Sequence, residues 1–223
     1  LDREVCWLKN ICKNDKRYTY VKEFSSNRSI YGAMNQGFYE AKEDDWLLFW
    51  GSDDWCFSNE IVELIINQIK KEVLESTISD LFIYKGKYFN NKKQKYERSS
   101  YFSKKNKVYD KKHFLNKLFW GGSPPHQATV FSPKILEKNL SYSTDLELAS
   151  DLDFFLELTN YKDIKITSFN INIVNMGSNG VSSIKHFTRF YEVIKIYYKY
   201  FGVLSIIPFS LRYLKRIISK TLF

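Results

Sequence analysis

Trp46-Leu47-Leu48-Phe49-Trp50-Gly51-Ser52-Asp53-Asp54-Trp55 is the stretch around which the chain is organised. Five apolar or aromatic residues ending at a glycine read as a strand buried on both faces, as in a parallel sheet. Two adjacent carboxylates follow the Gly-Ser step. In open α/β sheets, ligands bind beyond the carboxyl ends of the strands, so Asp53 and Asp54 stand where a site is expected. Hard cations take oxygen ligands, and Mg²⁺ commonly uses one or two carboxylates plus substrate phosphates. One reading is therefore a metal–diphosphate site; the other is a solvated turn leading into the helix that starts near Asn59.

Outward from this stretch, strands and helices alternate. Helical spacing covers residues 3–14 and Ile30 to Lys42. Strands are expected at Tyr18 to Phe24 and Asp80 to Lys85, and a helix from about Asn59 to Glu75. This order predicts an α/β fold with a mostly parallel sheet flanked by helices. Residues 86–108 read as a hairpin or a long loop, and Lys111 to Phe119 as a short helix. Trp120 to Gln127 forms no regular element, because its glycines and prolines break both periods. Ala128 to Phe131 and Ile164 to Val174 read as strands, Pro133 to Lys138 and Ala149 to Asn160 as helices.

The 223 residues suffice for one large domain. Cys6, Cys12 and Cys56 are scattered and odd in number, which fits a reducing compartment better than a disulfide framework or a zinc site. The chain opens without a Met or a signal peptide, in what reads as mid-helix, so it is expected to be a fragment. The net charge of +9 is uneven. Residues 85–117 carry 12 Lys/Arg against Glu97 and Asp110, and residues 185–223 carry 8 against Glu192. Such surfaces attract nucleic acid or anionic head groups alike. The segment 185–223 is basic, amphipathic and rich in aromatics, and its apolar run falls short of the roughly 20 residues needed to span a bilayer. It fits an interfacial membrane helix or a helix packed on the domain itself. Residues 1–184 then form the main domain, and 185–223 a membrane-proximal segment.

The order of motifs resembles the family 2 glycosyltransferases of GT-A fold, and within them bacterial polysaccharide and colanic-acid-type enzymes. Ile30-Tyr31-Gly32-Ala33-Met34-Asn35-Gln36-Gly37 precedes the apolar strand, and Ser52-Asp53-Asp54 resembles the family's metal motif. Pro125-His126-Gln127-Ala128 is similar to its His-Gln segment. Ala149-Ser150-Asp151-Leu152-Asp153-Phe154 resembles the segment bearing the catalytic base, and Gly177 to Ser182 the loop near the donor. The resemblance runs from about residue 18 to 185. Asn27, Ser29 and Gly32 depart from the family pattern on the donor side. The family's first strand and its nucleobase-binding acid have no counterpart, so part of the nucleotide pocket is expected to be missing.

The resemblance implies inverting, metal-dependent transfer from a nucleotide-diphosphate sugar to a lipid-linked or glycan acceptor. It implies Asp151 as the catalytic base, although a first-turn acid stabilised by the helix dipole is the plain alternative. Asp54 is implied as ligand to Mg²⁺ or Mn²⁺, with Asp53 beside it at the nucleotide-sugar site, contacting the ribose or the metal. Arg28, Asn35, His126 and Gln127 are implied at the nucleotide-sugar site; Asn35 packs or caps there, and His126 is alternatively a structural residue. Asp153 is assigned to the fold or the acceptor site. Trp50 and Trp55 stack on a sugar or pack in the core. The expected location is the cytoplasmic face of the cell membrane, against its anionic surface. Two rivals are a catalytically inactive membrane-associated module and, ranked last, a nucleic-acid binder using residues 85–117, for which no motif speaks; no nucleic-acid partner is expected.

Overall fold

The computed structural model describes residues 2–21, 29–90, 92–177 and 185–221, and side chains within 7–214 of that range. Arg28, Asn27 and most of the Gly177 to Ser182 loop lie outside the described residues, as does part of the strand expected at Tyr18 to Phe24; residues 18–21 are not extended in a ladder.

Helix α1 (Asp2–Asn14) precedes α2 (Ile30–Glu40), β1 (Leu47–Leu48), β2 (Trp55–Cys56) and α3 (Ile61–Leu74). The long strand β3 (Leu81–Asn90) turns into β4 (Lys95–Ser100), followed by β5 (Lys107–Asp110) and α4 (Lys111–Phe119). A 3₁₀ turn at His126–Ala128 leads to β6 (Thr129–Phe131), α5 (Pro133–Glu137), α6 (Ser150–Leu158) and β7 (Lys165–Gly177). Helices α7 (His186–Phe201) and α8 (Ile206–Thr221) close the chain.

The sheet is built around β3, in the order β1-β6-β3-β7-β2, with β4 added on β3 and β5 on β7. Side chains alternate across a strand, and β3 uses both faces. Leu81 and Ile83 enter one core with Phe114, Phe131, Phe154 and Phe155 from α4, β6 and α6. Phe82 and Tyr84 enter a second with Ile61 and Ile65 of α3 and Val174 and Met176 of β7. All four β3 residues are fully buried.

The α/β class holds, but the expectation of a mostly parallel sheet is corrected for the described strands. β3 and β7 run parallel, whereas the pairs β1–β6, β2–β7, β3–β4, β3–β6 and β5–β7 are antiparallel. The β3–β4 connection is a tight turn, which permits only the antiparallel arrangement. The strand read at Trp46 to Trp50 is shorter and less buried than expected. It contributes two ladder residues, pairs with β6 alone, and is half-buried throughout.

Helix α7 packs on the body of the molecule. Val193, Ile196 and Tyr197 join the first core, and Lys199 bonds the buried carboxylate of Asp153 at 2.9 and 3.2 Å. Asp153 therefore supports the fold by tying α6 to α7. Helix α8 folds back after Gly202, which adopts φ +55, so that Phe209 and Tyr213 meet Phe190 at ring distances of 4.6 and 5.1 Å. Its approach is close at Gly121, where a Cβ would lie 2.9 Å from the Arg212 Cα.

Candidate active site

One open cleft of about 1820 Å³ runs across the ends of β1, β3 and β7 and under α7 and α8. Asp53, Asp54, His126, Gln127 and Asp151 all line it. Five of the seven sequence-predicted residues thus line one cleft, coming from three separate segments.

The carboxylates occupy a tight turn. The Asp54 amide donates to the Gly51 carbonyl at 3.2 Å, and the Gly51 amide donates to Asp54 Oδ2 at 2.7 Å. Gly177, the last residue of β7, closes the turn from the other side. Its backbone amide reaches the Asp54 carboxylate, and a Cβ on Gly177 would stand 2.7 Å from Asp53 Cγ. Only glycine leaves room there. Burial pushes the Asp54 carboxyl above its ordinary value of 3.8, the Gly51 amide pulls it back, the neighbouring Asp53 raises it, and the Gly177 amide lowers it.

As to a divalent metal, these residues offer two adjacent carboxylates, and no third His, Cys, Asp or Glu completes a cluster among the described residues. Asp53 is exposed to the cleft, and the half-buried Asp54 carboxylate accepts from the Gly51 and Gly177 amides. That donor set fits a hard cation whose remaining ligands are substrate phosphates and water, and would not suffice for a closed structural site.

Asp151 lies in the first turn of α6, where the helix dipole favours a negative charge. It is half-buried among two tyrosines and a histidine. The Asp151 amide donates to the Tyr31 hydroxyl, whose ionisation is pushed well up by burial first and then by the Asp151 charge. Burial and Asp151 do the same to Tyr142. Burial pushes His126 down, while Asp151 raises it and Arg189 lowers it again. His126 is accordingly a neutral hydrogen-bonding group at neutral pH.

The loop before α6 is held by Glu192 of α7. Its carboxylate accepts from the amides of Glu147 at 2.6 Å and Leu148 at 2.9 Å. Trp50 donates from Nε1 to the Gln127 carbonyl at 2.9 Å, which fixes the His126 turn against the Asp53–Asp54 strand end. Trp55 packs edge-on against Phe89 at 5.6 Å.

Asn35 is not among the residues that line the cleft. Its amide donates to the Tyr142 carbonyl at 2.8 Å and accepts from the Tyr142 amide at 2.7 Å, latching α2 to the loop whose Tyr142 ring stacks on Phe154 at 4.6 Å. The sequence reading did not single out Tyr31, Tyr142, Glu192, Arg189 or Arg212 as site residues. Tyr31 sat inside a quoted motif, but the others come from distant segments whose convergence no local pattern announces.

The opposite wall is the β3–β4 hairpin, where Arg98 lies over the Tyr88 ring at 4.4 Å and Lys87 over Tyr96 at 5.3 Å. Its interleaved bases and aromatics, noted in the sequence as a basic region, face the cleft through Tyr88, Tyr96 and Arg98.

Residues 2–128, more than half of the chain, match the family model described as Glycosyl transferase family 2. The Asp53–Asp54 pair and the His126-Gln127 turn lie inside that stretch; Asp151 lies beyond it. No curated protein matches the chain. Among solved structures, it is similar to S. aureus TarS 1-349, at 16% identity, covering 77% of this chain and 44% of that one, with a TM-score of 0.49. It is also similar to TarS 1-349 in complex with UDP, at 17% identity, covering 73% and 42%, with a TM-score of 0.49. The chain spans less than half the length of either.

Proposed function

The chain belongs to glycosyl transferase family 2, and from that membership we propose that its cleft moves a sugar from a nucleotide-diphosphate sugar to a lipid-linked or glycan acceptor with inversion at the anomeric carbon. The observation that carries this reading is the convergence of Asp53, Asp54 and Asp151 on one cleft. Its volume of about 1820 Å³ exceeds the roughly 300–1,000 Å³ of ordinary small-ligand pockets, which supports room for two substrates.

Asp151 takes the proton from the acceptor hydroxyl. The acceptor oxygen forms a bond to the anomeric carbon from one face as the bond to the diphosphate oxygen breaks on the other, and the nucleoside diphosphate departs. Asp54 and Asp53 would hold Mg²⁺ or Mn²⁺, which when bound neutralises charge on the diphosphate. His126, neutral, donates or accepts a hydrogen bond at the sugar or diphosphate. Tyr88 and Tyr96 offer ring faces to the acceptor glycan. Arg28 is assigned to the donor phosphates on its sequence motif alone, and Gln127 to the donor sugar.

Tyr191, Val203, Leu204, Ile206 and Ile207 are exposed apolar residues on α7 and at its junction with α8. Together with the basic residues of the same segment, they support contact with an anionic membrane surface, on the cytoplasmic side where nucleotide sugars are expected. No helix among the described residues is long and apolar enough to cross a membrane.

The test is release of nucleoside diphosphate from UDP-, GDP- and dTDP-sugars with Mn²⁺ and an acceptor extract. Asp151→Asn and Asp54→Asn are each expected to lower the rate by about 10²–10⁴-fold. Unchanged rates in both variants would overturn the assignment, and proton NMR of the product reads the anomeric configuration.

A further inference from the structure

Two cations on the C-terminal helices line the cleft with buried guanidinium nitrogens that make no hydrogen bond among the described residues. Arg212 of α8 is 5% exposed, and its Nε and Nη1 are buried without a hydrogen bond; Nε of Arg189 on α7 is in the same state. Both side chains line the cleft. Among the described residues no ion pair joins either arginine to a carboxylate. The neighbouring acids are largely committed: Glu192 accepts two backbone amides, and Glu147 pairs with Lys185.

A guanidinium withdrawn from water without a counter-ion is costly. The α8 backbone is drawn against Gly121, whose φ of +76 and missing Cβ allow the approach, so the fold positions Arg212 closely.

We propose that Arg189 and Arg212 form a metal-independent seat for a phosphate or diphosphate group in the cleft. The planar fork of guanidinium donors matches phosphate oxygens bidentately, and two forks from two helices suit a tetrahedral dianion. The inference rests on the transferase reading of the cleft and adds an acceptor class to it. Arg189 acts electrostatically on Tyr31 and His126 together with Asp151, whereas the neighbours of Asp54 are Gly51, Asp53 and Gly177. The seat therefore lies on the acceptor side, beside the proposed base, and beneath the helices that carry the exposed apolar residues. A phosphate borne by an isoprenoid acceptor would meet all three features; the diphosphate of the donor is the other source of the same chemistry.

Calorimetric titration of the full chain in EDTA, with inorganic pyrophosphate and with farnesyl diphosphate, tests the seat apart from any metal. Wild-type protein is expected to bind farnesyl diphosphate whether or not UDP is saturating. Arg189→Gln and Arg212→Gln are expected to weaken that binding by about tenfold or more, while Arg17→Gln, exposed and away from the cleft, leaves it within about threefold. If UDP competes and both arginine variants lose UDP equally, the seat stands and serves the donor. Wild-type binding of neither anion, or folded variants with unchanged affinity, would overturn it. Arg189 is half-buried, so Arg189→Gln keeps the test decisive should Arg212→Gln fail to fold. Sugar transfer without anion binding in EDTA would reject the seat alone, and anion binding without transfer would reject the transferase reading alone.

Discussion

Gly177 touches both carboxylates of the turn, contributing an amide to Asp54 and an absent side chain to Asp53. Gly177→Ala should push Asp53 aside and lower Mn²⁺-dependent nucleotide affinity by about 10–100-fold, the usual scale for a lost orienting contact, with the circular dichroism spectrum kept. Asp54 titrates high because burial disfavours its charge. Metal binding needs the ionised form, so affinity should fall as pH drops through a midpoint above the ordinary carboxylate value of 3.8. The stability sign is opposite. A carboxyl raised on folding favours the native state while it is protonated, and that contribution is lost as pH rises through the folded value. Asp54→Asn should therefore abolish metal-dependent binding while leaving the thermal midpoint at neutral pH unchanged or higher, measured by calorimetry. A metal response retained in Asp54→Asn would refute the assignment.

At the level of elements, Asn35 shows how a motif residue can serve position instead of binding. Removing its amide strands the Tyr142 backbone groups, so Asn35→Ala should cost about 1–3 kcal/mol in urea unfolding while leaving nucleotide affinity near wild type; the reverse pattern would return Asn35 to the binding site. The residues Trp46 to Asp54 could be read as an apolar strand followed by two carboxylates because hydrophobicity and charge are written locally, although only Leu47–Leu48 enter the ladder. Pairing partners are not, and alternation of strand and helix was read as parallel crossover although β6 and the β4 hairpin return antiparallel. The lengths of α4 and α5 followed the periodicity to within a residue. What remained hidden were contacts of long separation: Glu192 on the loop before α6, Arg212 at Gly121, and Asn35 at Tyr142, 107 positions apart.

Across the whole molecule, the basic tail presents two different surfaces. Its inner face completes the core through Val193, Ile196 and Tyr197, and its other side exposes Val203 at 80% and Ile206 at 68%. Replacing Val203 and Ile206 by Asp should weaken sedimentation with phosphatidylglycerol vesicles by about tenfold without altering the unfolding midpoint; unchanged sedimentation would mean that this face does not meet lipid. Neutral phosphatidylcholine vesicles separate the charge from the apolar contribution. The two hydrophobic clusters, finally, have one strand in common. Because Leu81 and Ile83 belong to one and Phe82 and Tyr84 to the other, neither cluster can come apart while its neighbour stays whole. The amides of residues 81–84 should then exchange with deuterium only when the entire domain opens, at the slowest rate in the protein and with a single shared denaturant dependence. The cleft-lining turns, hung from strand ends, would exchange by local fluctuation far sooner.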